Sequence, residues 1–171
     1  MNRFVVTLVA LAGMIPFVSP CTTHAEEESD PAALAAALKD TKVTLEDGLK
    51  ASEREGTPIS AKFEVADGKL QLSVYTTKSG AFTEVVVDPK TGAIAEAEKI
   101  TDPGDLEAAK KQKAAVDKAT VSLLAATEKA VKAHPGDRAV SIFPQTTAGH
   151  PTAEVTLIEG QTFKKVPEKL G

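Results

Sequence analysis

Between Ile59 and Tyr75 the chain alternates in twos, and few structures can use that period. Ile59, Ala61, Phe63 and Val65 take one side, while Ser60, Lys62 and Glu64 take the other. This is the pattern of a strand with one packed face. Asp67-Gly68 supplies a reversal, after which Leu70, Leu72 and Val74 resume the alternation. Lys78-Ser79-Gly80 turns the chain again into Ala81–Val87. Such runs, split by such turns, predict an antiparallel sheet. Val85, Val86 and Val87 are contiguous, so the last of these strands is expected to be partly covered on both faces. It leads into Asp88-Pro89-Lys90-Thr91-Gly92, where Pro89 fixes φ and Gly92 tolerates a positive one. Asp88 is suited to accept backbone hydrogen bonds there. Asp88, Pro89, Thr91 and Gly92 are therefore read as a structural turn rather than a catalytic site.

Helical signals precede the strands. Asp30 is a candidate N-cap before Pro31, and Ala32 to Lys39 reads as a short helix with Leu34 and Leu38 one turn apart. Thr44 is a second N-cap candidate, with Asp47 standing where a capping box prefers Glu. Leu45 and Leu49 form the inward stripe, and Gly56-Thr57-Pro58 stops the helix. After Pro103-Gly104 the pattern comes round again. One helical run from near Asp105 becomes apolar in "VSLLAATEKAVKA" and ends at His134-Pro135-Gly136. Strands are expected at 139–143, 153–158 and 162–166, with "PQTTAGHP" as a loop between the first two. "VTLEDGLKASEREG" aligns with "VSLLAATEKAVKAHPG", and "LSVYTTKSGAFTEVVVD" with "AEVTLIEGQTFKKVPE". Elements recurring in one order predict an internal duplication. The expected class is α+β: two repeated units, each a helix packed on a small antiparallel β-sheet. Residues 26–102 form the first and 103–171 the second, shortened at its C-terminus.

Residues 1–25 read differently. Arg3, an apolar run from Phe4 to Val18 and a small-residue junction at Ala25-Glu26 have the layout of a secretory signal. Pro16 and the short span argue against a permanent membrane helix, so no transmembrane segment is expected after cleavage. Pro20 before Cys21 disfavours lipid attachment at that cysteine, the only one in the chain. The expected location is the periplasm or the extracellular medium, and the mature core must stand without disulfides. A net charge of -4, with basic pairs set among acids, disfavours nucleic-acid binding.

Catalytic chemistry is not expected. His134 sits at a helix end where capping suffices, and His150 has no HxH, HExxH or cysteine beside it. Ser73 and Ser141 fall inside strand patterns without a GxSxG context. Tyr75 and Phe82 are expected to pack across the first hairpin. Glu64, Glu84, Asp88 and Glu96 form an alternative carboxylate set for calcium or a lanthanide, since strand pairing could gather several of them on a solvent-facing side. Ordinary surface charge explains the same residues without a metal, and no other cofactor is expected.

"VSLLAATEKAVKAHPGDRAVSIFP" and "LQLSVYTTKSGAFTEVVVDPKTGAIAE" resemble the PepSY domain family. There a helix precedes an antiparallel sheet whose last hairpin carries an aspartate and a Thr-Gly, matched here by Asp88, Thr91 and Gly92. The second half departs from that pattern, with Glu168 and Leu170-Gly171 in place of the hairpin. The resemblance implies a tandem, freestanding module rather than a full peptidase propeptide. Any peptidase or other extracytoplasmic protein it regulates is then a separate polypeptide. The expected contact surface is the second sheet, where an incomplete edge offers unpaired backbone groups, unless the terminal Lys-Leu-Gly frays or folds back and protects that edge. Phe143, His150, Lys164 and Lys165 are its candidate residues.

Overall fold

The computed structural model describes residues 30–66 and 68–171. The leader, Cys21 and Asp67 of the first reversal lie outside them. Asp30 caps α1 (Pro31–Ala37) by accepting from the Ala32 amide at 3.1 Å, and a 3-10 turn over Leu38–Asp40 follows. Thr44 opens α2 (Leu45–Ser52) with a complete capping box. Its hydroxyl accepts from the Asp47 amide at 3.1 Å, and the Asp47 carboxylate accepts from the Thr44 amide at 2.9 Å. Aspartate does here what the longer glutamate usually does. Gly48 lets α2 sit close to the sheet, because a Cβ there would lie 2.5 Å from Leu72 Cδ2.

Four strands follow: β1 (Thr57–Ala66), β2 (Lys69–Lys78), β3 (Ala81–Val87) and β4 (Ile94–Lys99). After them come α3 (Pro103–Val116), α4 (Leu123–Ala133), β5 (Arg138–Thr147), β6 (His150–Glu159) and β7 (Thr162–Lys169). All seven strands join one antiparallel sheet in the order β4-β3-β2-β1-β5-β6-β7. The fold is α+β. Each half of the chain runs from helix into antiparallel strands, and the halves meet at β1 and β5.

Helices α1, α2 and α4 cover one face. Leu34, Leu45, Leu49, Leu123 and Ala126 pack there against Phe63, Leu72, Val74, Val85, Ile142 and Val155. Helix α3 covers part of the other face, where Ala109 meets Ile59 and Phe82, with Tyr75, Ile100 and Leu106 alongside. The aromatic pair expected across the first hairpin thus belongs to a second, smaller core.

The seam between the halves is short. Among the described residues, β1 and β5 register only through Ala61↔Ile142 and Lys62↔Ser141. Arg138, the first residue of β5, reinforces it from the side. Its Nη1 donates to the Leu38 and Thr41 carbonyls, both at 3.0 Å, and its Nη2 donates to the Val43 carbonyl. The guanidinium carbon lies 5.1 Å from the Phe63 ring centroid, within cation–π range. Burial lowers the Arg138 pKa, and the nearby Glu46 and Asp47 carboxylates oppose that shift.

The structure corrects four readings. The single helical run expected from Asp105 is two helices. Asp102 caps α3, Ser122 caps α4 through the Ala125 amide at 3.1 Å, and the Thr120 and Val121 amides between them donate to the Leu170 carbonyl at 2.7 and 2.9 Å. Ile59 leaves the face it shares by parity with Ala61, because a bulge lies between Pro58 and Ser60. "PQTTAGHP" is not a loop: β5 and β6 extend through it to a two-residue turn, with Ala148 at φ 51° and Gly149 at φ 85°. Positive φ at both positions suits the twist of a tight hairpin. Finally, β7 runs to Lys169, and Leu170 is buried, its amide donating to the Pro151 carbonyl at 3.0 Å. The terminus folds back instead of leaving the last strand short.

Arg138→Ala is expected to destabilise the protein by about 2–4 kcal/mol, because three carbonyls lose a charged donor. Arg138→Lys should recover only part of this, since an ammonium lacks the planar fork. Denaturant midpoints of the two variants against wild type give the measurement. A loss under about 0.5 kcal/mol for Arg138→Ala, the scale of an ordinary surface change, would show that the seam holds without it.

Candidate functional site

Asp88 is spent on its own turn. Its carboxylate accepts from the Lys90 amide at 2.9 Å, the Thr91 amide at 2.8 Å and the Thr91 hydroxyl at 3.0 Å. The Asp88 amide donates to Ala93 at 2.8 Å, and the Gly92 amide donates to the Asp88 carbonyl at 2.9 Å. The Thr91 amide, then the Lys90 amide and the Thr91 hydroxyl, hold its pKa below the ordinary value of 3.8. Pro89 accepts from the Thr41 hydroxyl, so the hairpin also pins the segment between α1 and α2.

The acidic set divides. Register places Glu64, Glu84, Glu96 and Glu98 on the face that α3 only partly covers, with Glu84 directly opposite Glu98 and Val86 opposite Glu96. Glu64 is already engaged, 2.8 Å from Lys62 Nζ and accepting from the Ser73 hydroxyl at 2.8 Å. Glu84 accepts from the Tyr75 hydroxyl. Asp88 does not join these glutamates. Among the described residues no three His, Cys, Asp or Glu side chains converge as a metal site would require. Burial, then the Glu84, Glu64 and Asp105 carboxylates, push the Tyr75 pKa far upward.

The four candidate contact residues of the second sheet are not gathered at one place. Phe143 is half-buried beside α3, with Ala108, Ala109 and Gln112 around it. His150 is exposed at the β5–β6 hairpin, paired with Thr147. Lys164 pairs with Leu157 in the β6–β7 register, which at ~3.3 Å per residue is roughly 20 Å along β6 from His150. Lys164 makes an ion pair with Asp137 and lies 3.2 Å from His134 Nδ1, while Lys165 lies 2.9 Å from Glu154. Among the described residues the outer edge of β7 carries no neighbouring strand in the sheet, and Pro167 removes one of its donors.

A further concavity lies elsewhere. A cleft of about 750 Å³ opens where the α3–α4 connection passes the start of β1 and the β2–β3 turn, a size within the range of ligand pockets, ~300–1,000 Å³. Leu49, Val116, Val121, Leu123 and Leu124 supply its apolar wall, and Glu53, Thr57, Lys78 and Ser122 its polar rim. Its described lining includes no histidine or cysteine. Such a wall and rim suit binding of a side chain or short segment. Nothing in the sequence pattern flagged it, because its walls come from α2, β1, β2 and the α3–α4 connection together.

Residues 32–98 match the family profile described as PepSY, peptidase propeptide and YPEB domain. The matched segment spans α1 to most of β4. Among solved structures, a chain described as a "putative lipoprotein" from Clostridium difficile 630 aligns with a TM-score of 0.42 and 16% identity, over 77% of this chain and 88% of that one. No curated protein sequence matches. Among the described residues, no helix is long and apolar enough to cross a membrane.

Two titrations follow from these environments. Tyr75 is the only tyrosine, so phenolate absorbance reports it alone. Its folded pKa is raised from 10.0, so the folded state holds the proton more tightly. Stability should be intact below that value and fall as pH rises past it, with phenolate appearing only on unfolding. A phenolate signal near pH 10 from folded protein would contradict the burial. Asp88 has the opposite sign: its contribution is present above 3.8 and lost as pH falls through its lower folded value. Its carboxyl carbon shift should titrate below the usual aspartate range, and Asp88→Ala should speed Thr91 amide exchange.

Proposed function

We propose that this protein is a non-catalytic interaction module acting outside the cytoplasm, and that its two halves are copies of one unit. The open cleft between the halves carries the reading: it offers an apolar wall and a polar rim, with no histidine or cysteine among its described lining residues. The PepSY match at 32–98 supports a regulatory role toward another extracytoplasmic protein, a secreted or envelope peptidase being the first class to examine. The signal-like layout of residues 1–25 supports export.

Several internal correspondences support duplication. Both β1 and β5 carry a bulge at their third residue, between Pro58 and Ser60 and between Ala139 and Ser141. Thr44 and Ser122 cap corresponding helices. The Pro89 carbonyl takes the hydroxyl of Thr41, three residues before Thr44, and the Leu170 carbonyl takes that of Thr120, two residues before Ser122, at 3.4 Å. The folded-back terminus of the second half thus stands in for the Asp-Pro-Lys-Thr-Gly hairpin of the first. On this reading the first copy covers residues 26–102 and the second 103–171.

Calcium or lanthanide binding is the rival reading, resting on Glu84 and Glu98 side by side with Glu96 on the same face. Crosslinking in the native extracytoplasmic fraction separates the two. The expected result is a reproducible partner whose crosslinks map to the cleft and whose capture falls in Leu124→Glu. No partner, together with stoichiometric calcium or lanthanide binding that Glu84→Ala and Glu98→Ala abolish, would replace the module by a cation-binding protein.

A further inference from the structure

Arg138 shows what kind of group this chain seats in its inter-helix connections. It donates to three carbonyls that stand one, three and six residues before the N-cap Thr44: Val43, Thr41 and Leu38. Counting back by the same offsets from the N-cap Ser122 reaches Val121, Ala119 and Val116. All three line the cleft. The backbone turn repeats as well, with the Thr41 amide donating to Leu38 at 3.4 Å and the Ala119 amide to Val116 at 3.0 Å.

The residue that should fill the second seat is also identifiable. Arg138 is the first residue of β5, two before its bulge, and Thr57 is the first residue of β1, two before its own. Thr57 lines the cleft but is too short to reach across it. Where one connection receives an arginine from the opposite half, the other receives a threonine and stays open.

We infer that the cleft is an arginine seat: it receives the guanidinium of an arginine side chain presented by a partner polypeptide, on the backbone carbonyls of Val116, Ala119 and Val121. This inference deepens the interaction-module reading and rests on it. A planar fork with several donors suits carbonyls spread over six residues of a turn, as Arg138 demonstrates within the same molecule. Leu49, Leu123 and Leu124 can cover the aliphatic stem. Glu53 at the rim supplies negative charge. The rim cation, Lys78, directs its ammonium toward the Arg54 carbonyl at 3.5 Å.

The test uses the full chain and two blocked tripeptides, N-acetyl-Gly-Arg-Gly-amide and its norleucine counterpart, titrated by amide NMR. The expected result is saturable shifts at Thr57 and residues 116–123, with the norleucine peptide weaker by about tenfold or more, the scale of lost charged hydrogen bonds. Thr57→Arg should fill the seat from within. It is expected to raise the Tm by about 4 °C and to abolish binding of the arginine peptide. Absence of saturable shifts, equal binding of the two peptides, or unchanged peptide binding in Thr57→Arg would each overturn the seat. A native partner crosslinked equally by wild type and Thr57→Arg would remove the arginine seat while leaving the interaction module standing.

Discussion

One guanidinium bridges the two halves of this molecule beside their strand seam. The strand seam at β1 and β5 is two residue pairs long. Arg138 crosses it and ends on the carbonyls that close α1 and lead into α2. Helix ends leave acceptors without internal partners, and here the donor comes from the other half of the chain. The matched PepSY segment, residues 32–98, therefore holds the acceptors of this clamp but not its donor. Phe63 beneath the guanidinium ties the clamp to the central strand as well.

From that junction the rest of the layering follows. With α2 and α4 side by side on one face, both halves bury their apolar strand positions in one continuous core. Helix α3 must then lie on the other face and cross the end of the sheet to reach α4. The crossing is anchored by Leu170, whose carbonyl accepts two amides of the connection. The buried Glu168 side chain, 2.5 Å from Lys129 on α4, holds the end of β7 from the same side. The cleft is the space this crossing leaves against β1. It exists because the α3–α4 connection is braced by the chain terminus and not by a side chain from β1.

The same layering sets how the acidic residues of the sheet are spaced. Alternation puts Glu64, Glu84 and Glu96 on one face, but sheet register spaces them over β1, β3 and β4. Lys62 and Ser73 occupy Glu64, and Tyr75 occupies Glu84. Asp88, one residue past β3, turns its carboxylate into its own hairpin. Charge of one sign on a shared face is a weaker condition than oxygens converging on a point.

What the sequence determined by itself lies within about one turn or one hairpin. The Asp30 cap, the Thr44–Asp47 box, the Asp88 turn and the alternation that defines the sheet are all local. Their hydrogen bonds join residues two or three apart, so the partners are visible in any short window. The PepSY resemblance was legible for the same reason in its hairpin stretch, which lies inside the matched residues 32–98, while its helix stretch, residues 121–144, lies outside them. Only the tertiary structure decided the break between α3 and α4, the side taken by Ile59, the fate of Leu170 and the role of Arg138. The contacts behind the clamp span 95 to 100 residues, and the break in the long helical run is anchored 49 and 50 residues away, at Leu170. Lys118 and Ala119 are good helix formers while Asp117, Thr120 and Val121 are weak ones, and the Thr120 and Val121 amides leave the helix for a distant carbonyl. The cleft belongs to this second category: it is a gap between elements, and a gap has no residue pattern of its own.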